Sequence, residues 1–129
     1  MITLALLKFI EDAGLGVIDT DLFWQNIGID DDGVYIANIG QARVRGTRSV
    51  QRYEIYARDS SKINGLEKLE AISELINNSY GVCVLPSAPI HGLNHSYNNV
   101  TLLPTSTPTR VGMDSNDRVL WSISGTIIY

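Results

Sequence analysis

The chain has 129 residues, of which 44% are hydrophobic and 19% are charged. This length and composition indicate one globular domain over residues 1–129, able to bury a core of its own. Ten basic and 14 acidic residues give a net charge of −4, which does not favour nucleic acid or anionic lipid as a general partner. No apolar run approaches the roughly 18 residues of a membrane span, so we expect no membrane partner.

The first 39 residues predict one helix followed by two strands. Apolar residues recur at helical spacing from Ile2 to Ala13, and Gly14 follows as a residue that commonly ends helices. Residues 21–27 and 33–39 are rich in aromatic and β-branched side chains, which is typical of strands. An acidic turn at residues 30–33 separates these strands, and we expect them to pair.

The middle of the chain predicts a strand and the longest helix. Residues 50–58 alternate, with Tyr53, Ile55 and Ala57 on the face that we expect to be buried. From residue 61 to residue 78, apolar side chains keep a spacing of three and four, which predicts a helix. Asn64 and Glu67 have the spacing of a capping box, and a start several residues earlier fits equally well.

The last third of the chain predicts strands joined by a long loop. A short apolar run at residues 81–85 precedes a loop at 86–99 that is rich in Pro, Gly, Asn and Ser. The extended segment that follows contains Pro104 and Pro108, which cannot donate ladder hydrogen bonds, so this strand must be an edge or be bulged, and we expect an edge strand. Residues 117–129 alternate as a long final strand, which we expect Gly125 to bend.

The order of these elements predicts the fold class. Helix, strands, helix and strands follow one another without the regular alternation of strand and helix that builds parallel sheets. We therefore expect an α+β fold, in which a mostly antiparallel twisted sheet carries two helices packed on one face.

The residues that could hold a metal do not form a complete ligand set. His91 and His95 are four residues apart and Cys83 precedes them, but a structural zinc site needs four ligands. Aligning Gly33 with the invariant glycine of a calcium loop puts Gly28 at the first ligand position, where no side-chain oxygen is available. We expect no metal and no cofactor.

The sequence holds no motif of a known kind of active site. Gly14-Leu15-Gly16 begins like a dinucleotide fingerprint, but it follows a predicted helix and lacks the third glycine. No Gly-x-Ser-x-Gly turn and no phosphate-binding loop ending in Lys-Ser or Lys-Thr is present. Cys83 lies in an apolar run, which favours a buried and unreactive thiol. We interpret the chain as a non-enzyme, whereas a small enzyme built from scattered residues would show a deep polar pocket.

Arginine is concentrated in one short segment. Arg43, Arg45, Arg48 and Arg52 fall within ten residues that hold no acid, in a chain that is otherwise acidic. The surrounding residues 40–49 predict a loop or a protruding hairpin. A solvated loop explains many such runs, but guanidinium groups also suit protein interfaces and phosphate. Because the net charge of −4 favours an acidic protein over nucleic acid as the partner of this segment, we take these four arginines as candidate partner-binding residues.

The carboxyl-terminal sequence carries a family resemblance. Residues 108–122, Pro-Thr-Arg-Val-Gly-Met-Asp-Ser-Asn-Asp-Arg-Val-Leu-Trp-Ser, lead into a final strand that ends on Tyr129. They resemble the closing segment of tail terminator proteins of long-tailed bacteriophages, which are often labelled minor capsid proteins. The chain also resembles that family's plan along nearly its whole length, at Gly14-Leu15-Gly16 after the first helix, Leu22-Phe23-Trp24, residues 51–58 and Leu75-Ile76.

The resemblance implies a structural virion protein, typically a hexameric ring, that caps the finished tail tube, ends its polymerisation and joins tail to head. Its partners would be copies of itself, the tube protein and a head-completion or connector protein. It would be assembled in the host cytoplasm into the head-proximal end of the tail, with nucleic acid involved only as DNA passing through the ring. We hypothesise that the Arg-rich segment docks the ring on an acidic rim of the tube. The alternative is a small nucleic-acid-binding module that uses the Arg43 to Arg52 patch with Tyr53 and Tyr56.

Overall fold

The computed structural model describes residues 1–25, 31–79, 81–114 and 116–129, apart from the side chains of Gln41, Arg45 and Val82. The helices in these ranges are α1 (Ile2–Asp12) and α2 (Lys62–Asn78), and a short 3-10 turn spans Pro89–His91. The strands are β1 (Leu22–Trp24), β2 (Gly33–Arg45), β3 (Arg48–Asp59), β4 (Gly81–Leu85), β5 (Tyr97–Pro104), β6 (Thr109–Met113) and β7 (Val119–Ile128). This arrangement confirms the predicted α+β class.

These strands form one sheet in the order β1-β2-β3-β7-β5-β4, and β6 pairs with the part of β7 that β5 leaves free. The β1–β2 pairing is parallel and the others are antiparallel, which confirms a mostly antiparallel sheet. The first two strands pair as predicted, with Leu22 opposite Val34 and Trp24 opposite Ile36. Because a tight turn can join only antiparallel strands, β1 and β2 do not form a hairpin.

Both helices cover the same face of the sheet. Ile36, Ile55 and Ile123 lie side by side across β2, β3 and β7, and all three are buried. The Thr3 hydroxyl of α1 reaches this face and donates to the Asn38 side chain at 2.7 Å. The buried residues of α2 are Gly65, Leu69, Ile72 and Ile76. The prediction of two helices on one face is therefore confirmed.

The helix α2 begins at the earlier of the two predicted starts. Its first residue is Lys62, and the hydroxyl of the N-cap Ser61 accepts a hydrogen bond from the backbone N–H of Asn64 at 3.4 Å. The carboxylate of Asp59 accepts from the N–H of Ser61 at 2.8 Å and supports the same turn. Asn64 thus lies in the first turn of the helix rather than capping it.

The strand that was expected at an edge lies inside the sheet. β5 begins at Tyr97, within the predicted loop, and lies between β7 and β4. Pro104 is its last residue and lies beyond Leu102, where the pairing with β4 ends. A missing N–H at that position costs no hydrogen bond to β4. The prediction of an edge strand is wrong because proline is tolerated where a strand ends.

Candidate partner-binding hairpin

The Arg-rich segment is the closing end of the hairpin formed by β2 and β3. Arg43 pairs with Val50 and Arg45 pairs with Arg48, around a turn at residues 46–47. Of the two forms expected for residues 40–49, the structure therefore has the hairpin. We call residues 43–52 the Arg hairpin.

A bulge separates the Arg hairpin from the rest of β2. The register shifts between Ile39 and Arg43, and Gly40 has a φ of 70°, in the left-handed region that favours glycine. The buried side chain of Gln51 donates to the carbonyl of Gly40 at 3.3 Å and to that of Arg52 at 2.8 Å. The bulge is therefore held by a side chain of the opposite strand.

Arg48 is used within the chain itself. Its guanidinium donates to the carbonyl of Ile128 at 3.2 Å and to the carbonyl of Asn99. These carbonyls belong to β7 and β5, so one side chain ties the hairpin to two further strands. Backbone hydrogen bonds between Ser49 and Tyr129 close the same corner. Arg48 thus positions the hairpin, a role that the sequence did not reveal.

Arg43 and Arg52 are exposed, and the strand register places both on the sheet face opposite the helices. Neither forms an ion pair with an acid in the ranges that the structure describes. Arg45 lies across the hairpin from Arg48. Two like charges on one face repel each other slightly. Contacts within the described part of the chain therefore do not explain why Arg43 and Arg52 lie there. Of the four predicted partner-binding arginines, Arg43 and Arg52 are therefore the ones whose side chains the structure shows to be available to a partner.

A second group of charges, which we call the Arg–Asp cluster, joins residues 31–32 to the turn before β7. The guanidinium of the buried Arg118 bonds to Asp114 at 2.9 Å, donates to the Asp31 carbonyl at 2.9 Å and lies 3.5 Å from Asp32. Arg58 donates to the same Asp31 carbonyl at 2.8 Å. Asp31 and Asp32 are themselves exposed, but these contacts tie them to β3 and to the turn before β7. Asp30, which we expected in the same acidic turn, lies outside the described residues.

Hydrogen bonds keep the carboxylates of the Arg–Asp cluster ionised. Desolvation acts to raise the pKa of Asp114, but the backbone N–H groups of Arg118 and Asn116 and the Arg118 guanidinium bring it below its usual value. Desolvation likewise opposes a lowered pKa at Asp32, where Ser60 and Arg118 are the stabilising groups. An ionised partner is what a buried guanidinium requires, because an uncompensated buried charge is costly.

The residues considered for a metal site make separate contacts. The Nδ1 atom of His91 lies 3.3 Å from the Asp19 carboxylate, whereas the ring of His95 contacts Tyr97 with centroids 4.7 Å apart. Burial raises the pKa of the Cys83 thiol, which lowers its reactivity. Across the described part of the chain, no three His, Cys, Asp or Glu residues are grouped as metal ligands.

A groove lies where the end of α2 meets the connection between β5 and β6. The residues that line it are Asn77, Pro104, Thr105, Ser106, Thr107 and Thr109. None of these side chains is an acid or a base at neutral pH. The groove offers hydrogen bonds but none of the paired groups that general acid–base or nucleophilic catalysis needs.

The structure separates the two tyrosines of the nucleic-acid alternative. Tyr53 is 1% exposed and lies in the core, so it cannot stack on a base. Tyr56 stacks on Tyr35 with ring centroids 4.9 Å apart, and its hydroxyl donates to the Glu54 carboxylate. The combination of the Arg patch with both tyrosines is therefore not formed.

A row of acids on α2 was missed in the sequence. Glu67, Glu70 and Glu74 are all exposed, and we call these three residues the Glu stripe. The spacing of three and four between these glutamates is present in the sequence. It places them together on the exposed face of α2 only once the buried face of that helix is known.

Comparisons with protein-family models and with curated proteins identify no relative. No protein-family model matches the chain, and no curated protein matches it.

Within the described ranges, no helix has the length and apolar character needed to cross a membrane.

Proposed function

We propose that this protein is a structural, non-enzymatic component of a bacteriophage virion. In this proposal it forms a ring, typically of six copies, that caps the tail tube, ends its polymerisation and joins the tail to the head. The observation that carries the proposal is the resemblance of residues 108–122, and of the order of elements, to tail terminator proteins. The ring would be assembled in the host cytoplasm and would remain at the head-proximal end of the tail.

Residues 108–122 contribute to the fold in a way that supports this reading. They span β6 and the start of β7, and the turn between them contains Asp114 and Arg118 of the Arg–Asp cluster. The described part of this segment is thus tied to the sheet by strand pairing and by the Asp114–Arg118 contact. A shared segment of this kind is expected where related proteins share a fold.

The Arg hairpin is the surface that we assign to partner contact. Its exposed arginines have no acidic partner among the described residues, while Arg48 fixes the hairpin to β5 and β7. A positioned surface with unused charges is suited to a protein interface, because little conformational freedom is lost when the partner binds.

A nucleic-acid-binding module remains the second candidate, and the unpaired charges of Arg43 and Arg52 favour it. Such a module would bind DNA through phosphate contacts, and its affinity would fall steeply as salt is raised. The net charge of −4 opposes this reading.

Electron microscopy of the purified full chain separates the two candidates when it is combined with a DNA-binding titration. The tail proposal predicts annular particles and no binding of a short labelled DNA duplex at moderate salt. Particles of a single chain that bind the duplex in a salt-sensitive way would contradict the proposal and favour the nucleic-acid module.

A further inference from the structure

We infer that the Arg hairpin of one copy docks on the Glu stripe of the next copy in the ring. This inference rests on the proposed function and names the partner of the hairpin as a second copy of this chain. It replaces the acidic rim of the tube as the surface that the hairpin contacts.

The Glu stripe lies on the outer face of α2. Because each residue of a helix advances by about 100°, positions 67, 70 and 74 fall about half a turn from the buried Leu69, Ile72 and Ile76. No ion pair joins any member of the stripe to a base in the described ranges, whereas Lys68 on the flank of the same helix lies 3.6 Å from Asp59. The helix thus keeps three unpaired negative charges pointing outward.

The Arg hairpin is the complement of this stripe. It holds the unpaired positive charges of Arg43 and Arg52, and no acid lies within residues 43–52. Each surface by itself contains only repelling charges, so their joint presence in one chain is explained by contact between copies. Complementary charges at an interface fix its register and suppress wrong pairings.

Two different patches on one chain define the symmetry of the assembly. When one patch of a copy binds another patch of its neighbour, the contact is head to tail, and such contacts close into a ring when the rotation allows it. A two-fold dimer would instead need each patch to bind itself, which like charges oppose. The charge pattern therefore favours a head-to-tail contact, which is the kind of contact that the ring of the proposed function needs, over a two-fold dimer.

An exposed apolar side chain accompanies the Glu stripe: Ile63, which precedes Glu67 by one helical turn, is 65% exposed. On the hairpin, Val44 is 73% exposed, but adjacent strand residues point to opposite faces, so it lies on the other face from Arg43 and Arg52. The contact that we infer therefore rests on the charged side chains.

Charge-swapped variants test the contact directly. One variant carries Arg43→Glu and Arg52→Glu, and the other carries Glu70→Arg and Glu74→Arg. We expect each variant alone to need a concentration roughly tenfold or more above that of wild type for assembly, because like charges then face each other. An equimolar mixture should assemble again, since alternating copies present opposite charges at every contact. Light scattering measures the mass of the assembled particles for each variant and for the mixture.

Two controls keep the result specific. Lys62→Glu with Arg110→Glu changes the net charge by the same amount as the hairpin variant, at exposed positions outside both surfaces, and should assemble as wild type. The neutral pair Arg43→Gln and Arg52→Gln should assemble less readily than wild type and is not rescued by the mixture. Below the concentration at which wild type assembles, circular dichroism should show the same melting temperature for all variants, because assembly itself raises apparent stability.

The possible failures distinguish the inference from the proposed function. If wild type forms rings and both swapped variants form them equally well, the inference is wrong and the ring proposal stands. If the hairpin variant forms rings but no longer binds tail tubes, the hairpin contacts the tube, and the inference is again wrong. If wild type forms no assembly with or without tubes, the proposed function itself fails, and the inference fails with it.

Discussion

The aromatic ring of Tyr53 occupies the space that a side chain at Gly125 would fill. The two residues are directly opposite each other on β3 and β7, and a Cβ at Gly125 would lie 2.6 Å from the Cζ atom of Tyr53. Glycine in a strand often marks a bulge, a bend or a close approach of another group, and a close approach is observed at Gly125. The register with β3 runs unbroken through Gly125, and the buried Tyr53 ring fills the space beside it. The bend expected at Gly125 stays a prediction.

Gly125→Ala should lower the free energy of unfolding by about 1–3 kcal/mol, the usual cost of overfilling a core. In a Tyr53→Leu background the same substitution should cost less, because the smaller side chain leaves room for the methyl group. Urea unfolding of wild type, the two single variants and the double variant gives the coupling free energy between positions 53 and 125. An equal cost of Gly125→Ala in both backgrounds would contradict this relationship.

The two tryptophans provide a matched test of buried hydrogen bonding. Trp24 Nε1 donates to the Thr3 hydroxyl at 2.9 Å, whereas the buried Nε1 of Trp121 has no hydrogen-bond partner among the described residues. We expect Trp24→Phe to cost about 1 kcal/mol of unfolding free energy. Trp121→Phe should cost less or stabilise the protein, because it removes an unsatisfied donor. Equal losses in chemical denaturation would show that the two indoles do not differ in this way.

Arg48 should differ from Arg43 in its effect on stability, although both belong to the Arg hairpin. Arg48→Leu removes a charged donor from two backbone carbonyls, which should cost about 1–3 kcal/mol. Arg43→Leu changes an exposed side chain and should alter stability by less than about 0.5 kcal/mol. Thermal unfolding measures both variants, and the idea that Arg48 positions the hairpin is wrong if they melt together.

The Arg–Asp cluster should make stability fall in acid. The pKa of Asp114 is lower in the folded chain than its usual value of 3.8, so its contribution is complete above that value and is lost as the pH falls through the lowered pKa. Asp114→Asn should reduce stability at neutral pH and flatten its decline below about pH 4. Asp117→Asn, at an exposed position with a φ of 59° that asparagine tolerates, serves as the control. An unchanged acid profile in Asp114→Asn would contradict this role.

The elements that the sequence predicts well are those whose burial pattern is local. The three-and-four spacing of α2 and the alternation around Tyr53 follow from a single helix face and a single strand face, and both are confirmed. The parallel pairing of β1 with β2 and the interior place of β5 depend on how distant segments meet, which no local pattern records.

The same distinction holds for the candidate site. Arg43, Arg45, Arg48 and Arg52 form a visible cluster in the sequence, and the hairpin that carries them was one of the two expected forms. The carbonyls that Arg48 bonds belong to residues 51 and 80 positions away along the chain. The sequence alone therefore could not show that Arg48 is bonded within the chain whereas Arg43 and Arg52 are exposed.

Growth of tail tubes in the presence of the purified protein tests the central proposal most directly. Tubes of a long-tailed phage that lacks its own terminator are incubated with tube protein, with and without this chain, and their lengths are measured by electron microscopy. If the protein is a tail terminator for those tubes, elongation stops and a ring is seen at one end of each tube. Tubes that continue to grow at the same rate, with bare ends and at saturating protein, would contradict it.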